Sequence, residues 1–525
     1  MSRMNGGEAL IKSLHNNGVD VVFGLPGAGQ YEAIDAIYQQ EGINYITTRN
    51  EQAISYLADG YARVSGKPGV GLAVQGPGFY NTTAGLATAY AQSSPVLLIT
   101  GNHHRVSVPN KTEYNSLDSY KAYSKWAGQA KTPGDIPKLV NEAFRQLNTP
   151  RKRPVILEIA PTVFSAVDEV QLLEPETITA RSGDSQQLEQ AAILLSKAER
   201  PLIWVGAGAG ESGSSIQKLA EHLGSPVVSS RSGKGILSDQ HSLSLGSFEP
   251  RFKPLADRID DCDVILAVGI GADLKERSTS QKIIRIDDDP NVIDLEGDES
   301  LGILGDSKLS LEIILDHVIK TTRSLKTTDE DIQAINNYRF GPSEQLEPQC
   351  TLMNGIRAAI PENSILIAGM NQMGYYSRNY YHCYSPRGYQ TSSHHGTLGS
   401  IFPIGLGLKL AQPDRPVIVV SGDGGFLYNA QEMATAVKYS INTVIIVFND
   451  NAYGNVQRAQ VEEFGGHVIG TNLHNPDFVQ MAESYGVKGI RVEDYTKLEA
   501  AIRDGINTQA PILIEVPVGP LERKY

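Results

Sequence analysis

The stretch "RPVIVVSGDGGFLYNAQEMATAVKYSINTVIIVFNDN", residues 415–451, decides the fold. Two runs of β-branched and apolar residues, 415–422 and 442–450, flank a segment with a helical pattern at 429–440. A strand, a helix and a second strand in this order predict a βαβ unit with parallel strands. The carboxyl ends of both strands then lie at one edge of the sheet, which is where open α/β sheets bind ligands.

Each of these two strands is followed by a carboxylate. Asp423 lies in a Gly-rich turn after the first strand, and Asp450 ends the second strand 27 residues later. Mg²⁺ prefers one or two protein carboxylates, with phosphate oxygens and water completing its octahedron. Gly424 and Gly425 carry no Cβ, so the backbone there can approach a phosphate closely. Either aspartate alone is typical of a turn, but the two together predict a site for magnesium and a diphosphate.

The helix at 429–440 also has a recognisable start. Asn429 is followed three residues later by Glu432. This spacing is typical of a capping box, in which the two side chains bond to each other's backbone N–H groups. We therefore expect both side chains to be used locally.

The rest of the chain repeats the alternation of short apolar strands and helices. A length of 525 residues exceeds what one hydrophobic core supports. Polar, charged stretches separate three blocks, and we predict domains at 1–180, 186–322 and 345–525. The fold class is α/β, with three doubly wound parallel-sheet domains. Gly-rich turns after apolar strands in the first and third blocks suggest a duplicated architecture.

Composition excludes several classes of function. The net charge of −13 argues against a protein that binds nucleic acid or an anionic membrane. No apolar run approaches the roughly 20 residues that span a bilayer, and the N-terminus has the pattern of an amphipathic helix rather than a signal peptide. Cys262, Cys350 and Cys383 are too scattered for a disulfide framework or a zinc site. We expect a cytoplasmic protein with reduced thiols.

The "GDG" at 422–424, followed by the Asn449–Asp450 pair, resembles the thiamine diphosphate motif. The order of the three blocks is similar to the superfamily of acetolactate synthase, benzoylformate decarboxylase and pyruvate oxidase, and the resemblance covers essentially the whole chain. It is closest to acetolactate synthase-like proteins. It implies a pyrimidine-binding, a central and a diphosphate-binding domain. It also implies that Asp423, Asp450 and the carbonyl of Ala452 bind Mg²⁺, although many relatives have Asn at the position of Asp450.

A second match lies upstream, in "TTRNEQAISYLADGYAR" at 47–63. It resembles the family segment with the activating glutamate, here Glu51. A carboxylate at N1′ of the aminopyrimidine favours the imino tautomer, whose nitrogen can take the C2 proton of the thiazolium ring. Without the resemblance, Glu51 is equally an acidic residue in the first turn of a helix, where the dipole favours it.

Further cofactor contacts follow from the same resemblance. "SSHHGTLGSIFPIGLGLKLA", 392–411, is similar to the segment whose apolar side chain keeps the cofactor folded. The loop "AGMNQMG", 368–374, matches a second diphosphate contact. The implied cofactor-binding residues are Glu51, Asn371, Gln372, Leu398, Asp423, Gly424, Gly425, Asp450 and Tyr453.

The substrate pocket is expected where the turns "GLPGAGQ" and "VQGPGFYN" resemble the loops that border the reacting carbon. "TGNHHRVSVP" adds two histidines after a strand end, although a solvent-exposed histidine pair is the favoured interpretation. Acetolactate synthases of branched-chain biosynthesis place a tryptophan where this chain has Ala459, which argues against that role. The candidate pocket residues are Gly27, Ala28, Gln75, His103, His104 and Val456.

The central block contains "VGAGAGESG", which is nearly a dinucleotide fingerprint, but Glu211 stands at the third glycine position. This departure argues against an NAD-dependent dehydrogenase. Synthases and oxidases of the family bind FAD in this domain and decarboxylases do not, so FAD is possible but less favoured. Asp287 would contact the ribose of any bound adenine nucleotide.

The resemblance therefore predicts a 2-oxo acid decarboxylase and carboligase that depends on thiamine diphosphate and Mg²⁺. It would decarboxylate pyruvate or a similar acid and join the remaining acyl unit to a second carbonyl. A non-ligating decarboxylase of the benzoylformate type is the alternative within the family, and a non-catalytic nucleotide- or metal-binding paralogue is the alternative outside it. Family members share active sites between subunits, so we expect a homodimer at least, and commonly a homotetramer.

Overall fold

The computed structural model describes residues 1–101, 116–271, 281–293, 300–321, 330–339, 341 and 346–522. The described strands form three six-stranded sheets and one two-stranded antiparallel ribbon. In chain order the strands are β1 Ser2–Asn5, β2 Val21–Gly24, β3 Asn44–Thr47, β4 Gly69–Ala73, β5 Val96–Thr100, β6 Trp126–Ala130, β7 Val155–Ile159, β8 Val167–Val170, β9 Pro201–Val205, β10 Val227–Ser229, β11 Ser244–Ser247, β12 Val264–Val268, β13 Lys282–Asp287, β14 Leu301–Leu304, β15 Ile365–Ala368, β16 Tyr389–Thr391, β17 Val417–Gly422, β18 Val444–Asn449, β19 Lys488–Arg491 and β20 Ile512–Pro517.

Helices connect most of these strands. In chain order they are α1 Gly6–Asn16, α2 Tyr31–Gln39, α3 Glu51–Ser65, α4 Pro77–Gln92, α5 Ser116–Tyr120, α6 Ile136–Asn148, α7 Pro161–Ser165, α8 Ser185–Lys197, α9 Gly213–Leu223, α10 Lys253–Asp260, α11 Ser307–Thr321, α12 Glu330–Arg339, α13 Gln349–Ala359, α14 Gln372–Tyr380, α15 Ile401–Ala411, α16 Asp423–Leu427, α17 Met433–Lys438, α18 Gly454–Glu463, α19 Phe478–Ser484 and α20 Leu498–Asn507. None of the described helices is both long enough and apolar enough to cross a membrane.

The order of the strands confirms the predicted fold class. The first sheet runs β3-β2-β4-β5-β7-β6 and the third runs β16-β15-β17-β18-β20-β19, so both follow the same pattern. The central sheet runs β11-β10-β9-β12-β13-β14, the order found in dinucleotide-binding sheets. The repeated order agrees with the duplicated architecture that the sequence suggested.

The βαβ unit predicted from residues 415–451 is present. β17 pairs with β18 in parallel, and Gly422 lies opposite Phe448. Both strands are buried along almost their whole length because neighbouring strands and helices cover them. Asp423 and Asp450 therefore leave the sheet side by side, as predicted.

The N-terminus differs from the helix that its sequence predicts. Residues Ser2–Asn5 form β1, which pairs antiparallel with β8, and helix α1 begins only at Gly6. The change of structure is fixed by a capping box, in which Asn5 and Glu8 accept each other's backbone N–H groups.

Two compact units make up the chain. The first contains Met1–Ile178, Ser392–Arg491 and Asp504–Pro517. The second contains Thr179–Thr391, Val492–Arg503 and Val518–Tyr525.

Within the first unit, α3 and α15 cross with their backbones in direct contact. A Cβ on Gly60 would overlap the carbonyl oxygen of Ile404, and a Cβ on Gly407 would overlap that of Leu57. No side chain separates the helices at these two points, so the position of α15 fixes that of α3.

We expect Gly407→Ala to lower the unfolding temperature, because the helices must separate to admit a methyl group, at a cost of about 1–3 kcal/mol. Gly355→Ala in α13 is the matched control, since no atom lies within 4 Å of the added Cβ. There alanine should stabilise the helix by about 0.5–1 kcal/mol. Calorimetry of both variants checks the prediction, and equal shifts in the two would contradict the close crossing.

Candidate functional site

The glycine-rich stretch after β17 is not the open turn expected from its sequence. Asp423 is the first residue of the short helix α16, Asp423–Leu427. The helix directs the carboxylate back toward the end of β18, where Asp450 follows the strand. The two side chains interact directly with each other.

Burial and mutual repulsion make this carboxylate pair costly to ionise. Asp423 is only 2 % exposed, and burial raises its pKa. Burial and then the negative charge of Asp423 raise the pKa of Asp450 to about 6. In the described ranges of the chain, no ion pair to Lys or Arg compensates either group. Two adjacent carboxylates of this kind suit a divalent cation, so the residues present fit Mg²⁺.

Asn475 is a third polar residue of this cluster, and it was not predicted from the sequence. Its Nδ2 atom donates to Asp423 Oδ2 at 2.6 Å and also lies 2.9 Å from Oδ1 of Asn449. Asn475 follows a stretch without strand or helix pattern, so no spacing rule connects it with Asp423. Asn475 reaches Asp423 because residues 471–475 run antiparallel to the loop after Asp450, where Asn472 pairs with Ala452.

That path also fixes the loop after Asp450. Asn451 has a left-handed backbone with φ of +55°, and its carbonyl accepts from Leu473 N–H. Tyr453 N–H donates to the carbonyl of Thr471 at 2.8 Å. Neither bond uses the carbonyl of Ala452, the group that the family resemblance assigns to the metal.

The two glycines of α16 have different explanations. A Cβ on Gly424 would lie 2.5 Å from the ring of Tyr453, so glycine is required there by the protein itself. A Cβ on Gly425 would meet only ordinary contacts, with Ser421 Oγ at 3.6 Å and Leu398 Cδ2 at 3.9 Å. No protein contact therefore requires glycine at position 425.

Glu51 lies at the start of α3, with its carboxylate near the start of α4. Asn50 caps α3 by accepting from the Gln52 N–H at 2.8 Å. Asn81 on α4 donates to Glu51 Oε2 at 3.1 Å, and a Cβ on Gly78 would lie 3.7 Å from Oε1. Sequence reasoning did not single out Asn81, although it belongs to the quoted stretch "VQGPGFYN".

Three candidate pocket residues lie in the turns after β2 and β4, which are neighbouring strands at the switch point of the first sheet. A Cβ on Gly27, next to Ala28, would lie 2.5 Å from Val74. The side chain of Gln75 lies against Gly29, and its Oε1 is buried with no hydrogen-bond partner among the described residues.

The other candidates have separate positions. Val456 lies on α18 and is 55 % exposed. Asn371 and Gln372 follow β15 in the second unit, where Asn371 caps α14 by accepting from the Gly374 N–H. His103 and His104 lie outside the described residues.

The expected capping box of Asn429 and Glu432 is wrong. Asn429 makes no side-chain capping bond, and Glu432 does not accept from the Asn429 N–H. Each side chain instead combines a bond to a near neighbour, Gln431 for Asn429 and Thr435 for Glu432, with bonds to distant segments. Glu432 accepts from the backbone N–H groups of Arg49 and Asn50.

The central domain does not form the dinucleotide fingerprint. Helix α9 begins only at Gly213, after a 3-10 turn, and Glu211 forms an ion pair with Arg387 at 2.6 Å. Asp287 accepts from the Asp289 N–H at 3.0 Å, so its carboxylate stabilises its own turn.

Comparison with known proteins agrees with the fold and with this arrangement of groups. Models of the N-terminal, central and C-terminal domains of thiamine pyrophosphate enzymes match residues 4–122, 188–314 and 368–516. The N-terminal and C-terminal models both describe domains that bind thiamine pyrophosphate, which is thiamine diphosphate. The chain belongs to this enzyme family.

Relatives extend over almost the whole chain. It is 32 % identical to a probable acetolactate synthase large subunit of Methanococcus aeolicus, over 98 % of this chain and 92 % of that protein. It is 31 % identical to a probable 2-ketoarginine decarboxylase of Pseudomonas aeruginosa, over 98 % and 94 %. An acetolactate synthase isozyme 3 large subunit of Escherichia coli is 28 % identical over 100 % and 96 %. The protein is thus a thiamine-diphosphate-dependent enzyme of the carboligase and lyase kind.

Proposed function

We propose that this enzyme is a Mg²⁺-dependent 2-oxo acid decarboxylase and carboligase that resembles acetolactate synthase. The observation that carries the proposal is the buried pair of Asp423 and Asp450, which lacks a compensating cation within the described residues. Full-length similarity to acetolactate synthases supports the type of reaction.

In this proposal Asp423, Asp450 and the carbonyl of Ala452 hold Mg²⁺, and the backbone at Gly424 and Gly425 faces the diphosphate. Asn371, Gln372, Tyr453 and Leu398 complete the cofactor contacts. Thiamine diphosphate, when bound, supplies a carbon nucleophile and an electron sink for the loss of CO₂.

The chain itself supplies binding, orientation and proton transfer. Glu51 holds the proton at N1′ of the aminopyrimidine and so selects the tautomer. Asn81 orients the carboxylate of Glu51. The small residues Gly27 and Ala28, with Gln75, leave space for the 2-oxo acid.

A non-ligating decarboxylase is the second candidate, and one specific observation favours it. The similarity to a probable 2-ketoarginine decarboxylase covers as much of the chain as the similarity to the synthases. Ala459, where biosynthetic synthases are expected to have tryptophan, agrees with this alternative.

Incubation of the enzyme with thiamine diphosphate, Mg²⁺ and a panel of acids separates these candidates. The panel contains pyruvate, 2-oxobutyrate, benzoylformate and 2-ketoarginine, with CO₂ measured and products identified by NMR. We expect CO₂ and a ligated hydroxy ketone or hydroxy acid. An aldehyde as the sole organic product would establish the decarboxylase, and no CO₂ from any acid would favour the non-catalytic paralogue.

We also propose a homodimer at least, and a homotetramer as the expected assembly, with active sites between subunits. Helix α18 has no buried residue, and apolar side chains on it and after it are exposed, which is typical of a surface that a partner covers. These residues are Val456, Val461, Phe464 and Ile469. Light scattering after gel filtration tests the assembly, and a monomer at micromolar concentration would refute it.

FAD is the less favoured occupant of the central domain. The strand order of the central sheet is compatible with a dinucleotide, whereas Asp287 is already used within its own turn. An absorbance spectrum of the purified enzyme tests the point directly, because bound flavin gives a visible band.

The proposed metal site predicts how stability depends on pH. Because the pKa of Asp450 is raised to about 6 from 3.8, the cofactor-free protein binds more protons at this group than the unfolded chain does between these values. The stability that this group contributes is complete below about pH 4 and is lost as the pH rises through 6. Mg²⁺ requires ionised carboxylates, so its stabilising effect should grow over the same range.

Unfolding temperatures between pH 4 and 8, with and without Mg²⁺ and thiamine diphosphate, check this expectation. Asp450→Asn should remove part of the pH dependence of the cofactor-free protein. Identical profiles for the variant and the parent enzyme would contradict it.

A further inference from the structure

We propose that Glu432, assisted by Asn429, is a positioning residue that holds the start of helix α3 and thereby the carboxylate of Glu51. The inference rests on the proposed role of Glu51 in activating the cofactor. It assigns a role to the buried side chains of Glu432 and Asn429. Among the described residues, neither side chain forms a hydrogen bond with Asp423, Asp450 or the candidate pocket residues.

The bonds of Glu432 converge on the two residues before Glu51. Its Oε1 accepts from the Arg49 N–H at 3.0 Å and from the Asn50 N–H at 3.1 Å. Its Oε2 accepts from Thr435 Oγ1 at 2.6 Å and lies 3.2 Å from the Arg49 nitrogen. The carboxylate thus connects the 3-10 turn Ala430–Glu432 to the turn that precedes α3.

Asn429 makes a second connection one residue beyond Glu51. Its Nδ2 donates to Gln52 Oε1 at 3.0 Å and to the carbonyl of Gly399 at 2.8 Å. Gly399 follows Leu398, which is one of the proposed cofactor contacts. Glu51 is therefore held on both sides by side chains from the same ten-residue segment, 423–432, that begins with Asp423.

Stability alone is a poor explanation for Glu432. The residue is 0 % exposed, and burial raises its pKa to about 7, which shows that its charge is costly to maintain there. Asn50 already provides the local cap of α3 without using the Glu432 carboxylate. The Glu432 carboxylate fixes the direction of the Arg49 and Asn50 N–H groups, which directly precede Glu51.

The position of the Glu51 carboxylate matters for the proposed catalysis. A misplacement of about 1 Å in a catalytic group can cost on the order of 10²-fold in rate. Glu51 is partly exposed, and among the described residues its carboxylate has one side-chain hydrogen-bond partner, Asn81. Its direction consequently depends on the backbone at Arg49 and Asn50.

The test compares Glu432→Gln with Thr435→Val. Thr435→Val removes the bonds that Thr435 Oγ1 donates to Glu432 Oε2 and, at 3.4 Å, to the carbonyl of Thr47. It keeps Glu432 Oε1, which accepts from the Arg49 and Asn50 N–H groups. In the cofactor-free protein, hydrogen–deuterium exchange of the peptide covering 47–52 should accelerate in Glu432→Gln and stay within about twofold of the parent in Thr435→Val. This readout involves no cofactor.

In the enzyme loaded with thiamine diphosphate and Mg²⁺, quenched-flow NMR measures exchange of the C2 proton of the cofactor. We expect Glu432→Gln to slow this exchange by roughly ten- to a hundredfold at unchanged cofactor affinity, with Thr435→Val close to the parent. Glu432→Asp, which keeps the charge but shortens the side chain by one methylene, should also slow it and serves if the Gln variant folds poorly.

Glu51→Gln separates this inference from the proposed function. If Glu51→Gln slows C2 exchange and neither Glu432 variant does, the positioning role is refuted and the function of Glu51 stands. If Glu51→Gln exchanges at the parent rate, the proposed function of Glu51 itself fails. Equal slowing in Thr435→Val and Glu432→Gln would mean a merely structural role and would also overturn the inference.

Discussion

Glu51→Gln is expected to lower kcat by about 10²- to 10⁴-fold, the usual contribution of a positioned acid–base group. The amide is nearly isosteric with the carboxylate and can still accept from Asn81, so folding should be preserved. Thiamine diphosphate should bind with an affinity close to that of the parent, because the diphosphate and the metal are held elsewhere. Steady-state kinetics with the best acid of the panel, together with calorimetric titration of the cofactor, measures both quantities.

Glu32→Gln is the matched control for this variant. Glu32 lies in the first turn of α2, as Glu51 lies in the first turn of α3, so both interact with a helix dipole in the same domain. If Glu51 were only a helix-start residue, the two variants would behave alike. Full activity in Glu51→Gln would contradict the proposed mechanism.

Asp423→Asn is expected to weaken the Mg²⁺-dependent binding of thiamine diphosphate by on the order of 10²- to 10³-fold. Removing one member of a buried charged arrangement costs about 3–5 kcal/mol, and every 1.4 kcal/mol is a factor of about ten in Kd. Without the cofactor, the same variant should be at least as stable as the parent above pH 7, because the repulsion between Asp423 and Asp450 is removed. Calorimetric titration and thermal unfolding measure the two opposite effects.

Asp414→Asn serves as the control because Asp414 is exposed and precedes the amino end of β17, opposite to Asp423. It should leave both affinity and stability unchanged. An unaltered cofactor affinity in Asp423→Asn would refute the assignment of the metal site.

The accuracy of the sequence-based fold depended on where each strand lies in its sheet. The strands in the middle of the sheets were predicted because they are buried on both faces and consist of continuous apolar runs, such as "VIVVSG" and "VIIVFN". Five of the six edge strands were missed, since edge strands pair on one side only and carry weaker apolar patterns. The unpredicted edge strands are β6, β11, β14, β16 and β19.

The residues of the candidate site were also predicted only in part. Asp423 and Asp450 could be named because each stands at a strand end that the local pattern defines, whereas Glu51 was named through the family resemblance of its segment. The wrong capping box at Asn429 and Glu432 shows the limit of such rules. The spacing was typical of a local cap, but buried donors at Arg49 and Asn50 took the carboxylate instead.

The three parallel sheets and the paired aspartates at one sheet edge follow from periodicity and short-range order, because a βαβ unit places the ends of its two strands at the same edge. The glutamate at the start of α3 follows from the resemblance of its segment to the family. The distant groups that complete the site depend on the tertiary structure: Asn475 at Asp423, Asn81 at Glu51, and Glu432 at the turn before Glu51. Such bonds join residues far apart in the chain and depend on how whole helices pack, as at the glycine crossing of α3 and α15, so no local spacing encodes them.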